Sequence, residues 1–494
     1  MSIELKNNDE QRVLNALLRV DFKSFSVKVF NETAGNSQYL DNWHVDVICQ
    51  AVEDMRLGTD KRVIINVPPR YMKSIICSVA LPAFLLGHNP KERILCVSYS
   101  DELATKLASD QRKVMESDWY QELFPFTRLT RQRVTDLETT AGGGRFSTSI
   151  SGTLTGRGGN WLIIDDPIKP ADACSDVIRN KVNDWYGSTL LSRLDDKANG
   201  KILLIMQRTH LNDLTGHLQE IDPSFRLIKM PAIAMEDEAW PLVRPDGSSY
   251  ICRRRVGEPL HAARESLADL QRVKSTMGSY AFASQYQQVP ECLGGNIIRR
   301  EWLHLYNRNE LLERVRTGRQ KLRICQSWDT ASKAGEDNDY SVCITYAHDS
   351  RRRVWVLDVY RDKLEFPALL EAARRMAQEC KIKYRAINPY LPEILIEDMN
   401  SGVGLGQVLE KEFGSNIKPI KPVQDKATRL KTVSHLLENG SCLFPEDKPT
   451  WWADFERELL QFPNGRHDDQ CDALSQLLTY EQQDRKSLAW LDNV

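Results

Sequence analysis

The run Asn160-Trp161-Leu162-Ile163-Ile164-Asp165-Asp166-Pro167 constrains this chain more than any other. Apolar residues lead straight into two adjacent carboxylates, and a proline ends the run. A short apolar run bounded by turn residues predicts a strand buried in a parallel sheet. Carboxylates at the C-terminal end of such a strand sit where open α/β sheets bind ligands. Against a nucleotide, Asp165 would hold Mg²⁺, directly or through water, and Asp166 would orient or deprotonate the attacking water. Two Asp residues capping the next turn account for the run equally well, so the choice rests on what lies upstream.

Upstream, Val63-Ile64-Ile65-Asn66-Val67 predicts a strand. It is followed by Pro68-Pro69-Arg70-Tyr71-Met72-Lys73-Ser74 and an apolar helix, IICSVALPAFLLG. Strand, tight loop, Lys-Ser and helix form the context of a phosphate-binding loop, with backbone amides aimed at the phosphates. Lys73 would reach the β- and γ-phosphates of ATP, and Ser74 would ligate Mg²⁺. The usual glycines are replaced by Val67 and Met72.

Further strands are expected at Arg93–Ser98 and Lys201–Met206, with a helical segment 101–117 and a Gly-rich loop 141–160 between them. Arg157, within Gly156-Arg157-Gly158-Gly159, reads as an arginine finger reaching a neighbouring copy or as part of a simple turn. Gln207-Arg208-Thr209-His210 follow the last strand at the same sheet edge, where these polar groups, Gln207 first, would sense the γ-phosphate and couple hydrolysis to movement. Residues 1–60 show helical spacing; Tyr39 and Trp43-His44 read as core, or one of them as a platform for the adenine.

The C-terminal part predicts a second α/β core. LRICQSWDTA, YSVCITYAH and RRVWVLDVYR read as strands, with HDSRR turning the last two into a hairpin. A helix near 366–380, the strand Ile394–Glu397 and a helix opened by Gly402-Val403-Gly404-Leu405-Gly406 follow. That order is the order of an RNase-H/resolvase-like nuclease. The candidate metal ligands are Asp329, then Glu397 and Asp398, then Asp468, Asp469 and Asp472. Carboxylates from separate segments can converge on two hard cations, Mg²⁺ or alternatively Mn²⁺. Taken singly, each Asp reads as solvated or capping, and Asp468 or Asp469 could cap the last helix. The ordered set carries the metal reading; within the strand pair Glu397 ranks first because it directly follows the apolar residues.

A length of 494 residues predicts two or three domains. No apolar run is long enough to span a membrane, and MSIELKNNDEQR lacks a signal-peptide core. The eleven Cys are scattered, with no CxxC pair and no Cys/His cluster of zinc spacing, which points to reduced thiols in a cytoplasmic protein. A net charge of −2 means that DNA binding must rely on local basic clusters; Arg253–Arg255 and Arg351–Arg353 read as solvated surface.

VPPRYMKS, SYSDELATKL, GTLTGRGGNWLIIDDPIK, the DWY of 184–186 and LLIMQRTHLNDLTG, in that order over about 39–232, resemble the ATPase half of tailed-bacteriophage terminase large subunits. WDTA, IEDMNSGVG, DK-x-x-R and FPNGRHDDQCDAL resemble the nuclease half, carrying the likeness to about residue 480. SYAFASQYQQVPECLGGNII is similar to the segment between the halves of many terminases and receives no chemistry here.

The resemblance implies an α/β protein: a P-loop ATPase domain with a mainly parallel sheet, then an RNase-H/resolvase-like nuclease domain. The expected divisions are a helical segment 1–60, a motor 61–232, a linker 233–318, and a nuclease 319–494 with a short C-terminal tail. It implies a phosphate-sensing role for Arg70, Mg²⁺ on Asp165, and catalysis by Asp166, where the family more often has Glu. Asp425-Lys426-x-x-Arg429 would lie beside the nuclease site and contact the DNA backbone, with the start of a surface helix as the alternative. The implied activity is ATP-driven translocation of viral double-stranded DNA into procapsids, coupled to metal-dependent cutting of concatemeric DNA. Implied partners are double-stranded DNA, the portal of the procapsid and a terminase small subunit. A ring of copies would form on the portal, with a monomer in solution as the alternative, in the host cytoplasm and outside the mature virion. A cellular helicase-nuclease would carry further helicase motifs after Thr209, and none follows. A decayed DNA- or capsid-binding remnant is disfavoured because Lys73, Asp165, Asp329 and Asp472 occur together.

Overall fold

The structure is a computed structural model that describes residues 2–154, 156–244, 246–290, 297–330, 340–399, 401–422, 424–465 and 467–491. The chain divides into two compact units, Met1–Lys274 with Tyr280–Glu291, and Ser275–Ser279 with Cys292–Val494. No helix among the described residues is long and apolar enough to cross a membrane.

In the first unit the described strands of the main sheet are β1 (Arg62–Asn66), β2 (Arg93–Ser98), β3 (Leu129–Arg133), β4 (Asp136–Thr139), β5 (Gly144–Ser149), β6 (Trp161–Asp165), β7 (Lys201–Met206) and β8 (Arg226–Lys229). Their spatial order is β3-β4-β5-β2-β6-β7-β1-β8. From β5 to β8 every pairing is parallel; β3 and β4 add an antiparallel edge. Both faces are buried, as a parallel sheet requires. Val63 and Ile65 point into one cluster with Ile163, Leu203 and Ile205, while Ile64 points into another with Leu162, Ile164 and Leu204. One strand, β7, lies between β1, which feeds the phosphate loop, and β6, which carries the Asp pair.

Two expectations change here. The Gly-rich segment 141–160 is not only loop: β5 within it pairs with β2. Its glycines allow the backbone to close on neighbours, since a Cβ on Gly144 would strike the Leu137 carbonyl oxygen. The apolar helix after the phosphate loop begins as a π-helical turn, Ile75–Ala80, before the α-helix Leu81–His88. Pro82 offers no N–H to the carbonyl four residues back, which favours the wider turn.

The expected linker is divided between the units. Within the first, β9 (Glu238–Val243) and β10 (Ser249–Arg254) form an antiparallel hairpin. Trp240 packs against Trp43 at 5.8 Å, and Arg254 lies over the Trp43 ring. Trp43, on the helix Trp43–Leu57, is therefore a half-buried packing residue at the edge of the core.

The second unit has β11 (His304–Tyr306), β12 (Arg323–Asp329), β13 (Ser341–His348), β14 (Val354–Asp362), β15 (Glu393–Glu397), β16 (Ile417–Ile420) and β17 (Cys442–Pro445), ordered β11-β17-β14-β13-β12-β15-β16. β12, β13 and β14 are successively antiparallel, and β15 joins β12 in parallel. The helix Ser401–Phe413 starts close against β15: a Cβ on Gly402 would strike the Glu397 carbonyl oxygen. The first glycine of the GxGxG run thus serves close packing, with no dinucleotide role needed.

Candidate nucleotide and metal sites

The loop between β1 and Lys73 does what glycine-rich loops do without their glycines. Arg70 and Met72 have φ of 69° and 63°, in the left-handed region. For side chains with a Cβ this costs on the order of 1–2 kcal/mol each. The shape is held from outside. Tyr71 is buried, and its hydroxyl donates to Glu265 Oε2 at 2.6 Å. The Arg264 guanidinium donates to the Arg70 carbonyl and lies over the Tyr71 ring. Both anchors come from the segment that the sequence suggested was linker.

Lys73 is 5% exposed, and its Nζ lies 2.9 Å from Asp166 Oδ2. Ser74 Oγ donates to Asp165 Oδ1 at 3.0 Å, and Ser78 Oγ donates to Asp165 Oδ2 at 2.7 Å. Burial pushes the Asp165 carboxyl up to about 6; the Asp166 charge adds to this, while Lys73 and the two hydroxyls oppose it. Asp166 sits at φ 44°, pinned by its amide to the Ile205 carbonyl at 2.9 Å and by its carbonyl to the Tyr99 amide at 3.2 Å. Its Oδ1 accepts the Gln207 amide at 3.1 Å. Arg70, Lys73, Ser74, Asp166, Gln207 and Tyr39 line a cavity of about 730 Å³. Adjacent hydroxyl and carboxylate oxygens, Ser74 and Asp165, suit a hard cation such as Mg²⁺.

Other candidates fall elsewhere. Arg208 grips both oxygens of buried Asp213 at 3.0 Å each. Arg157 pairs with Asp136 on β4 at 2.8 Å and lies over the Phe146 ring of β5. It is not among the residues lining the cavity. Ser78 was missed in sequence; it lies four residues after Ser74, one helical turn on, and its hydroxyl reaches the second oxygen of Asp165.

In the second unit, the register that pairs Trp328 with Ile396 sets the next residues, Asp329 and Glu397, side by side at the sheet edge. Asp472 joins them from the first turn of the helix Asp469–Leu491. Burial raises the Asp329 carboxyl well above the carboxylate range, with Asp472, Glu397 and Asp469 adding like charge. Arg429 spans the group: Nη1 donates to Glu397 at 3.0 Å and Nη2 to Asp472 at 2.8 Å. Lys426 Nζ lies 2.5 Å from Asp472 and 2.8 Å from Asp468.

Lys426 and Arg429 thus face the carboxylates. Asp425 caps their helix through the Thr428 amide at 3.0 Å. Asp469 is buried and Asp468 half-exposed, while Asp398 is exposed and its amide donates to the Ile420 carbonyl at 2.7 Å. The cluster takes Glu397 from the strand pair. An all-carboxylate donor set from separate chain segments fits Mg²⁺ or Mn²⁺.

The fold also gathers a Cys/His/Glu group that chain order hides: Cys325, His348 and Glu481 bring ligand-type atoms within 4.8 Å of one another. Both Glu481 oxygens already accept hydrogen bonds, from Tyr346 Oη at 2.9 Å and Arg352 Nη1 at 2.8 Å. This makes it a satisfied buried network. In the related sequence patterns, Thr155, Asn400 and Arg466, and the Cys292–Gly295 stretch between the halves, lie outside the described residues.

The sheets and their edge sites define a P-loop ATPase fold followed by an RNase-H-like nuclease fold. Residues 326–481 match the terminase RNaseH-like domain family. Two crystal structures of the large terminase from a thermophilic bacteriophage are similar. One, in complex with ADP, has a TM-score of 0.50 at 10% identity, covering 92% of this chain and 98% of that one. Another crystal form has a TM-score of 0.51 at 10% identity with the same coverage of 92% and 98%. No curated protein sequence matches the chain. Family match and fold together support a phage terminase large subunit.

Proposed function

We propose that this chain hydrolyses ATP to translocate viral double-stranded DNA into procapsids, and cuts concatemeric DNA at a separate metal-dependent site. The observation that carries this reading is that each unit sets its own carboxylate cluster at the edge of its own sheet, one beside a phosphate-type loop. The coverage of nearly the whole of a phage large terminase by one fold supports it.

At the first site Lys73 and the loop amides would bind the β- and γ-phosphates of ATP, and Ser74 and Asp165 would hold Mg²⁺. Asp166, freed from Lys73 as that lysine turns to phosphate, would take the proton of the attacking water. Gln207 and Arg70 would sense the γ-phosphate. Arg157, should it act on a neighbouring copy, must first leave Asp136. At the second site Asp329, Glu397 and Asp472 would hold the divalent cations, with Asp468 or Asp469 contributing and Asp398 only after a side-chain movement. Metal bound there supplies polarisation of the phosphodiester. Lys426 and Arg429, released from the carboxylates, would turn to the DNA backbone. The partners are double-stranded DNA, a portal on which copies form a ring, and a small subunit, in the host cytoplasm.

The test uses the full-length chain, measuring ATP hydrolysis with and without DNA, and plasmid nicking with and without EDTA. Lys73→Ala should lose hydrolysis and keep nicking; Asp329→Ala should do the reverse. Nicking that survives both EDTA and Asp329→Ala sinks the nuclease assignment, and normal turnover in Lys73→Ala sinks the phosphate loop.

A further inference from the structure

The segment around Phe282, Tyr286, Gln287 and Gln288 carries no chemistry in its sequence, yet it is tied into the first site. Phe282 and Tyr286 stack at 5.2 Å. Gln287 mimics a strand pair with Ile233, donating to its carbonyl and accepting its amide at 2.9 Å each. Gln288 is 1% exposed with φ 57°, a backbone that suits glycine or asparagine better. Its Oε1 accepts the Arg208 amide at 2.9 Å, and its side-chain amide donates to the Gln285 carbonyl.

Four successive amides after β7 are each taken by a side chain. Gln207 N donates to Asp166 Oδ1 at 3.1 Å and Arg208 N to Gln288 Oε1 at 2.9 Å. Thr209 N and His210 N donate to Asp213 Oδ2 at 2.9 and 3.3 Å. Gln288 is thus the acceptor next along from Asp166. A glutamine in a glycine-type conformation, buried and aimed at one backbone amide, is explained by what that amide positions.

We infer that Gln288 is a positioning residue for ATP hydrolysis: it holds the 207–210 turn so that the Gln207 amide meets Asp166 and the Gln207 side chain faces the cavity. This rests on the nucleotide-site reading above. Since Gln288 makes no contact with the cavity, it acts on turnover and not on ATP binding.

The test is steady-state ATP hydrolysis by full-length Gln288→Gly, Gln288→Asn and Gln288→Glu, with fluorescent-nucleotide binding and melting temperature, beside wild type and Lys73→Ala. Glycine and asparagine suit the backbone but cannot reach the Arg208 amide, whereas a glutamate carboxylate still accepts it. The expectation for Gly and Asn is a kcat lower by about tenfold to 10²-fold, the scale of small misplacements near a reacting centre, with KM nearly unchanged. Gln288→Glu should recover most of the rate as pH is lowered, because its protonated carboxyl both accepts from the Arg208 amide and donates to the Gln285 carbonyl. Wild-type kcat in Gly and Asn, a fall in Glu that stays equal to theirs as pH is lowered, or a rise in KM alone would overturn the inference. Hydrolysis by wild type that Lys73→Ala does not reduce would overturn the nucleotide-site reading itself, and is seen without reference to Gln288.

Discussion

Lys73 Nζ lies 2.9 Å from Asp166 Oδ2, with the lysine side chain 6% and the aspartate side chain 18% exposed. The candidate phosphate-binding cation and the candidate base therefore hold each other. Asp166→Asn releases Lys73 while leaving an oxygen for the Gln207 amide. Turnover should fall by about 10²-fold or more through loss of the base, with ATP affinity kept or increased. Equilibrium binding and single-turnover hydrolysis measure the two effects separately. A wild-type rate would place the catalytic carboxylate elsewhere.

Ser78→Ala should weaken Mg²⁺-nucleotide binding without altering DNA cutting. The Ser78 hydroxyl donates to buried Asp165 at 2.7 Å, and its loss leaves that carboxylate a donor short in a site that already disfavours its charge. The cost of removing such a donor is about 1–3 kcal/mol. Isothermal titration with Mg²⁺ and ATP would show it; an unchanged affinity would make Ser78 merely a packing residue.

Arg429→Met should destabilise the second unit and make its stability depend on divalent cations. Arg429 is the buried countercharge of both Glu397 and Asp472, and stripping one partner from such a set costs about 3–5 kcal/mol. Melting in EDTA should drop, and Mn²⁺ should restore part of the loss. Equal melting temperatures in EDTA for mutant and wild type would refute the idea that Arg429 neutralises the cluster.

His44 predicts an acid-sensitive first unit. Burial lowers its pKa to about 3, with His261 and Arg264 acting in the same direction. Its folded pKa is below its unfolded one, so the neutral ring's contribution is complete above about pH 6.5 and is lost as pH falls towards 3. By pH 5 the loss should be about 1–2 kcal/mol. His44→Gln should flatten this part of the pH–melting curve; parallel curves for the two proteins would contradict it.

Much of the two sheets was legible because buried parallel strands are near-continuous apolar runs, as in Val63–Val67 and Trp161–Ile164. The carboxylates at their ends were legible for the same reason. β3, β4 and β5 were not: they are mostly polar, with one apolar side chain each, and Gly143 and Gly144 read as loop although they serve close packing. The grip of Arg264 and Glu265 on the phosphate loop spans about two hundred residues of chain, and no local pattern reports a contact so distant. Cys325, His348 and Glu481 escaped notice likewise, being brought together by sheet register and one helix.

The glycine-free loop has a consequence for descent. Because Tyr71, Glu265 and Arg264 hold its shape, positions 70 and 72 are released from the need to be glycine. Such a loop can drift in spelling while its architecture stays put, so kinship among loops of this type is better traced by backbone geometry than by motif spelling. The debt is transferred to residues 264 and 265, where an innocuous-looking substitution would silence a site nearly two hundred positions away.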